Sequence, residues 1–219
     1  MRTYRGSIYM ITYIKKGITS EKIGCRFLYI IILYLAIFIV CTIVGDLLLP
    51  EGFLRNAPTN TGGEIDFSSN LFISSLQIFL YNCISLVVII VASLFAKRKT
   101  EEESYFPASI ACLSVLAVIT GLTLGTNSFG IVVENAPVLQ KLMDLFYVTK
   151  YSALWEITGQ TLIAACLAKK SLVLTTGKTT VVKKIDQFGF TKREIVLIGF
   201  GLSLMVFGAF IESRTILSL

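Results

Sequence analysis

The sequence predicts an all-α integral membrane protein, a bundle of about five transmembrane helices. Of its 219 residues, 54% are hydrophobic and only 16% are charged. A soluble domain usually carries about 25% charged residues, and here the shortfall is concentrated in long apolar runs. Histidine is absent from the sequence. Its absence excludes Ser-His-Asp and Cys-His nucleophiles and His-ligated zinc.

Five apolar segments are long enough to cross a membrane, since a spanning helix needs roughly 20 mostly apolar residues. In chain order they are Phe27–Leu49, a span within Leu71–Ala96, Phe106–Leu124, Phe146–Ala168 and Ile195–Ile211. The first is the most uniform, with no charge before Asp46, whereas the fourth contains Glu156. The count of five predicts that the two termini lie on opposite sides of the membrane.

The distribution of Lys and Arg gives the orientation. Alternate connections between the predicted spans hold 16 and 4 basic residues. Cytoplasmic loops collect Lys and Arg, so we expect a cell-membrane protein with its N-terminus inside and its C-terminus outside. The first span is too long for a signal-peptide core and lacks a small-x-small cleavage site before Pro50. It is therefore predicted to remain in the protein.

Residues 1–26 form a basic cytoplasmic segment, followed by a membrane domain over residues 27–219. The basic residues of the segment are interspersed with Tyr9, Met10, Tyr13 and Ile14. This pattern fits either an amphipathic helix on the inner membrane surface or a tail that only sets topology. Both interpretations stay open.

The longer connections differ in character. Residues 50–70 are rich in turn formers and predict an irregular outer loop. Apolar residues recur at helical spacing after Pro137, which predicts a surface helix or a re-entrant segment within residues 125–150. The basic inner connection Lys169–Arg193 is predicted to face lipid or a partner. Its Gly177-Lys178-Thr179-Thr180 is not a phosphate loop, because Leu172 stands where the leading glycine belongs.

Glu156 is the polar outlier inside the predicted spans. A charged residue near the bilayer centre costs roughly 2.5–3.5 kcal/mol on translocon scales, so it should face protein or water. Ser152, Glu156 and Gln160 are spaced four apart and form one polar stripe. Glu156 is a proton or cation ligand, an interhelical latch, or a carboxylate satisfied near the outer boundary. Asn82 and Asn127 are its candidate partners across helices.

Small residues predict where helices approach closely. Gly121 and Gly125 form a G-x-x-x-G pair at the end of the third span, and Gly199 and Ser203 repeat this spacing on the fifth. Such pairs let two backbones pack closely in lipid. The five cysteines form no C-x-x-C pair, so we expect them to pack as small apolar residues.

Two short motifs resemble the stage II sporulation protein M family of helical membrane proteins. They are Asn127-Ser128-Phe129-Gly130 and Ser152-Ala153-Leu154-Trp155-Glu156. Family members carry an Asn-Gly-x-x-x-Gly-like turn after one span and a His-Gly-x-x-Glu motif opening the next. Asn127 and Glu156 match these motifs, and Gly130 approximates the later Gly. Asn82 matches an Asn in the preceding span, and Ser152 replaces the His. The resemblance covers roughly residues 70–175.

The resemblance implies a non-enzymatic membrane component, a scaffold or an immunity or export accessory. The expected partners are the lipid bilayer and a protein, either an ATP-binding subunit or an envelope protein, and not nucleic acid. Whether the chain forms a homo-oligomer is left open, and neither a cofactor nor a metal is expected. The alternative is a permease-like subunit of an ATP-driven exporter. A third class is an intramembrane enzyme. Its candidate catalytic residues would be Glu156, with Asp46 and Glu212 near the outer boundary, and the sequence shows no paired acid and base.

Overall fold

The fold is mostly helical, with 69% of the described residues in helices. A computed structural model describes residues 12–55, 68–128, 136–148, 151–184 and 189–218. The helices within these residues are α1 (residues 12–18), α2 (Ile23–Leu48), α3 (Leu71–Ser93), α4 (Ala108–Gly125), α5 (Val138–Val148), α6 (Ser152–Leu167) and α7 (Lys192–Ile216). The strands are β1 (Phe95–Arg98), β2 (Phe106–Pro107), β3 (Val173–Thr176) and β4 (Thr179–Val182).

Four helices, α2, α3, α4 and α7, are long and apolar enough to cross a membrane. They correspond to the first, second, third and fifth predicted spans. The prediction for the fourth span is wrong at its beginning, because Phe146 belongs to α5 and α6 begins only at Ser152. Tyr151 has a left-handed backbone, with φ of 64°, which a continuous helix does not allow. The 16 residues of α6 extend about 24 Å at 1.5 Å per residue.

A four-stranded sheet is the main departure from the all-α expectation. Its strand order is β2-β1-β3-β4; β1 and β3 are parallel, and the other two pairs are antiparallel. The β3–β4 hairpin is built from threonines and valines on either side of Gly177-Lys178. Gly177 has a φ of 57°. Tight hairpin turns need such a positive φ, and glycine adopts it readily because it has no side chain. The segment Gly177–Thr180 is thus a hairpin, in agreement with rejecting it as a phosphate loop.

The sheet marks one end of the bundle, called the sheet end below, and α5 lies at the opposite end, the α5 end. β1 directly follows α3, and β3 follows α6. Since these strands pair in parallel, α3 and α6 leave the helical bundle at the same end. α7 begins there too, because Lys170 Nζ lies 2.8 Å from the Glu194 carboxylate in its first turn. Thr191 and Glu194 form a capping box that fixes this start.

Close glycine contacts organise the helices into two packed pairs, α2 with α4 and α6 with α7. A Cβ at Gly121 would lie 2.5 Å from the Phe38 carbonyl oxygen, and one at Gly125 would overlap the Thr42 carbonyl. Contact between helices is so close that only glycine fits. This close approach of α4 to α2 is the geometry expected of the predicted packing glycines Gly121 and Gly125.

The predicted role of Gly199 and Ser203 in packing is wrong. Both are exposed, and a Cβ at Gly199 would meet no atom within 4 Å. The close approach of α6 and α7 uses Gly159 and Gly201 instead, where a Cβ on Gly201 would lie 2.9 Å from the Gly159 carbonyl oxygen. Two residues correspond to a rotation of roughly 200° around a helix, so Gly199 faces away when Gly201 faces α6.

The basic N-terminal segment is helical over residues 12–18, and this helix, α1, packs on α2. Gly17 lies against the ring of Tyr29, and Ile18 is buried. Lys15 forms an ion pair with Glu102 in the connection between β1 and β2. This side of α1 therefore faces protein; Tyr13 lies on it too, with its ring 5.8 Å from that of Tyr29, and is itself mostly exposed. Tyr9 and Met10 lie outside the described residues.

Candidate functional site

Polar side chains from α3, α6 and α7 converge inside the helical bundle. The carboxyl group of Glu156 on α6 interacts electrostatically with that of Glu212 on α7, and the Asn82 amide of α3 lies beside it. Ser152 lies one turn before Glu156 and is buried. We call these four residues, Asn82, Ser152, Glu156 and Glu212, the carboxyl cluster. It joins three helices that are far apart in the sequence.

Gly208 explains why Glu156 can lie so close to α7. A Cβ at Gly208 would lie 2.7 Å from the Glu156 Cγ and 3.0 Å from the Ser152 carbonyl oxygen. Any side chain at residue 208 would push α6 and α7 apart or displace Glu156. Glu212 follows Gly208 by one helical turn and therefore lies on the same face of α7. The glycine thus brings the two acidic side chains together.

Two oxygen atoms of the cluster are buried without a protein hydrogen-bond partner among the described residues. They are Glu156 Oε1 and the Oγ of Ser152, a residue that is only 1% exposed. A buried polar atom without a partner usually costs about 1–3 kcal/mol, and such atoms are uncommon in folded proteins. Ser152 and Glu156 both belong to the face of α6 that packs against Gly208.

Gln160 extends the polar stripe toward the sheet end. Its Nε2 donates a hydrogen bond of 2.9 Å to Ser85 Oγ, and Ser85 Oγ donates one of 2.8 Å to the Asn82 carbonyl oxygen. Gln160 is 4% exposed, so this link between α6 and α3 is shielded from the surroundings. Gln160 therefore positions α3 relative to α6 one turn from Glu156.

Trp155 lies next to the cluster and is the single tryptophan of the chain. Its ring packs edge-on against Phe207 of α7, with centroids 5.4 Å apart and an interplanar angle of 82°. The ring is 40% exposed, so one side faces out of the bundle. The neighbouring residue, Glu156, faces in. Trp155 is thus a natural optical reporter for changes at the α6–α7 contact.

Asn127 does not join Glu156, and the prediction that they are partners is wrong. Its Nδ2 donates a hydrogen bond of 2.7 Å to Glu51 Oε1 at the α5 end. Its left-handed φ of 49° directs the chain out of α4 just after Thr126. The turn following α4 therefore fixes the loop after α2 and stands apart from the carboxyl cluster.

The structure brings together some of the residues that were predicted for the site and separates others. Asn82, Ser152 and Glu156 come together, and Gln160 continues the same network. Glu212 was missed as a member, because counting residues from the basic ends of the helices places it nearer the outer boundary than Glu156. The missing signal was Gly208, which is spaced from Gly201 and Met205 along one face of α7 and marks the close contact with α6.

The fold and the cluster together have the features of a helical membrane protein with a buried polar site. The cluster offers carboxyl, amide and hydroxyl oxygens, which are ligands of hard cations and acceptors of protons. Comparison with models of known protein families, with curated proteins and with solved structures finds no match to this chain. Its function is therefore argued from the structure.

Proposed function

We propose that this chain is a five-span protein of the cell membrane with its sheet end in the cytoplasm and its C-terminus outside. The course of α6 supports five spans: its end leads to β3 at the sheet end, while Ser152 at its start contacts Gly208 near the end of α7, so α6 runs alongside α7. Being buried among other helices, α6 crosses with fewer residues than a lipid-facing helix needs. The 16 basic residues on one set of alternate connections support the orientation.

Its function is that of a non-enzymatic membrane component that holds a protein partner, as a scaffold or an immunity or export accessory. The observation that carries this proposal is the folded sheet at the sheet end, built from two connections far apart in the sequence. A loop that only joined helices would not need such a sheet. The resemblance to the stage II sporulation protein M family agrees with this role.

Among the described residues no strand pairs with the outer edge of β4, and this free edge is the surface best suited to a partner. Lys183 N donates a 2.8 Å hydrogen bond to Leu172 O. From this pair onward, hydrogen-bonded and non-hydrogen-bonded pairs of residues alternate between β3 and β4. In an antiparallel pair, every second residue directs its backbone groups away from the neighbouring strand. Thr180 and Val182 are these residues in β4, the last strand of the sheet. A partner strand can add here through main-chain hydrogen bonds.

A second candidate function is that of a permease-like subunit of an ATP-driven exporter. One observation favours it: β1 continues directly from α3, and β3 follows closely after α6. These two helices carry Asn82 and Glu156 of the carboxyl cluster. A cytoplasmic ATP-binding subunit that moved the sheet would therefore move the helices that enclose the buried polar site.

The test is affinity purification from native membranes in mild detergent, comparing wild type with Thr180→Pro. Proline removes the outward-facing amide of residue 180 and keeps the main-chain hydrogen bonds between β4 and β3, although it also removes the 3.3 Å hydrogen bond between the Thr180 and Thr175 hydroxyls. Tyr147→Ser, at an exposed residue of α5, is the control. We expect a stoichiometric partner that is retained by the control and lost by Thr180→Pro, with unchanged elution and melting of the chain itself.

The identity of the partner separates the two functions. An ATP-binding subunit supports the exporter, whereas a cell-wall hydrolase or another envelope protein supports the scaffold. A partner bound equally well by wild type and Thr180→Pro would contradict docking at the β4 edge. A chain that retains no partner under any condition would contradict both assemblies and leave stand-alone immunity as the function.

A further inference from the structure

The carboxyl cluster is an unusual arrangement in the interior of a helical bundle. Glu156 and Glu212 place two acidic groups next to each other on helices in close contact. Asn82, which faces them from α3, is polar but uncharged. Among the described residues, Glu212 is the charged group that interacts with Glu156. Two neighbouring negative charges repel each other. Burial strengthens this repulsion, because the dielectric constant inside the bundle is low.

The unpartnered oxygens of the cluster point to a ligand. Ser152 is almost completely buried, and its Oγ has no protein partner in the described residues. Glu156 Oε1 is also buried and without a partner, one turn along the same face of α6. Both oxygens are therefore available to a ligand that enters between α6 and α7. A small cation is the ligand that carboxyl and hydroxyl oxygens favour beside a second carboxyl group.

We propose that the carboxyl cluster binds one small cation of single positive charge between Glu156 and Glu212. The shared chemistry is a positive charge held by carboxyl oxygens, supplied either by Na⁺ or by a proton. Na⁺ would also use the Ser152 hydroxyl and the Asn82 amide oxygen as ligands. A proton would bridge the two carboxyl groups. In either case the ligand offsets the repulsion and holds α6 against α7, whichever partner binds at the sheet.

Trp155 gives a direct measurement of occupancy, because it adjoins Glu156 and contacts Phe207 on α7. The emission of the purified wild-type protein is recorded while Na⁺ replaces choline at constant ionic strength, and separately while pH is varied without Na⁺. The same titrations are made with Glu156→Gln and Glu212→Gln. Glu103→Gln, the same chemical change at an exposed residue of the sheet end, is the control.

If Na⁺ is the ligand, wild type and the control give a saturable change in Trp155 emission with Na⁺. Each cluster variant weakens the response by about tenfold or more, equivalent to about 1.4 kcal/mol. If a proton is the ligand, Na⁺ has no effect and the pH titration of the emission is lost in both cluster variants. Either pattern supports the site and identifies its ligand.

Two outcomes would overturn the proposal. The first is that emission responds to neither titration, or responds equally in wild type and both cluster variants. The second is that Lys150→Gln abolishes the response as fully as Glu156→Gln, which would mean that a lysine side chain supplies the positive charge. Glu156→Asp tests whether a lost response comes only from misfolding. This variant keeps the carboxyl group and should therefore retain a weakened response.

Discussion

Lys141 of α5 is 5% exposed, yet it carries a charged ammonium group. Its Nζ lies 2.6 Å from Asp46 Oδ1 of α2 and donates a 2.9 Å hydrogen bond to the Gly125 carbonyl at the end of α4. The carbonyls at a helix C-terminus carry partial negative charge, so they also favour a cation. One side chain thereby joins α5 to both helices of the α2–α4 pair.

Replacing Asp46 with Asn should destabilise the protein, because it leaves the buried Lys141 ammonium without its counter-ion. Breaking a buried ion pair from one side costs on the order of 3 kcal/mol. The measurement is thermal melting in detergent, compared with the double variant Asp46→Asn/Lys141→Met. The double variant should melt at a higher temperature than the single one. Equal melting of wild type and Asp46→Asn would show that the pair contributes no stability.

At the scale of helices, the α6–α7 contact depends on glycines that lie opposite each other. Gly201 has no room for a side chain, because a Cβ there would lie 2.8 Å from Ile163 Cγ1 and 2.9 Å from the Gly159 carbonyl oxygen. Gly199, on the same helix, has open space around it. The two positions therefore form a matched pair for testing the packing of these helices.

Gly201→Leu should lower the stability of the bundle by about 1–3 kcal/mol or more, as overpacking usually does. Gly199→Leu should leave the melting temperature nearly unchanged, since its side chain enters lipid or detergent. Both variants are compared by thermal melting and by elution volume. Equal destabilisation by the two substitutions would contradict the orientation of α7 described above.

Two ion pairs attach α1 and the residues after it to the sheet end, Glu21 with Lys169 and Glu102 with Lys15. The hydrogen bond from Lys169 lowers the pKa of Glu21 below its ordinary value of 4.5. The hydrogen bond from Lys15 does the same for the pKa of Glu102, helped by the Lys99 backbone. A lowered pKa means that the attachment is complete above the ordinary pKa and is lost as pH falls through the lowered one.

Glu21→Gln/Glu102→Gln imitates the protonated state at neutral pH and should loosen the segment modestly, because exposed ion pairs contribute little. The measurement is the rate of tryptic cleavage after Lys16 and Lys22 at neutral pH, which should rise relative to wild type. Glu103→Gln serves as the control. A double variant that is cleaved no faster than wild type would contradict the role of these ion pairs.

The helices of the bundle could largely be predicted from sequence, and the sheet could not. α2, α3, α4 and α7 are long apolar runs, so hydropathy alone defines them. β1 and β3 have four residues each and pair across a long stretch of sequence. Such short strands gain stability only from non-local pairing, which a pass along the sequence does not detect. The Thr and Val residues around Gly177 were the available local signal.

The candidate site was predictable where a single helix carried the signal. Ser152, Glu156 and Gln160 share one face of α6, and helical spacing alone brings them together. Glu212 and Gly208 belong to another helix, and their place depends on how far α7 is shifted along α6. That shift is set by the contact of Gly159 with Gly201, a three-dimensional fact that the sequence leaves open. The prediction for Asn127 was wrong because it also depended on three-dimensional structure: the turn after α4 directs this side chain toward Glu51.

For the whole molecule, the central claim is that α6 crosses the membrane, so that α5 and the β3–β4 hairpin lie on opposite sides, and that α7 then returns the chain to the side of α5. The direct measurement uses a variant without native cysteines, carrying single cysteines at Tyr147, Lys178 or Ser218. All three lie at exposed positions of the fold. A membrane-impermeant maleimide is applied to intact cells and, in parallel, to permeabilised cells.

The five-span account predicts labelling of Tyr147→Cys and Ser218→Cys in intact cells, and of Lys178→Cys only after permeabilisation. Labelling of Lys178→Cys alone in intact cells would reverse the orientation. If Lys178→Cys and Ser218→Cys are both labelled or both protected in intact cells, they lie on one side of the membrane. That result would contradict a crossing by α7 after the hairpin. Protection of Tyr147→Cys together with Lys178→Cys would contradict the crossing by α6.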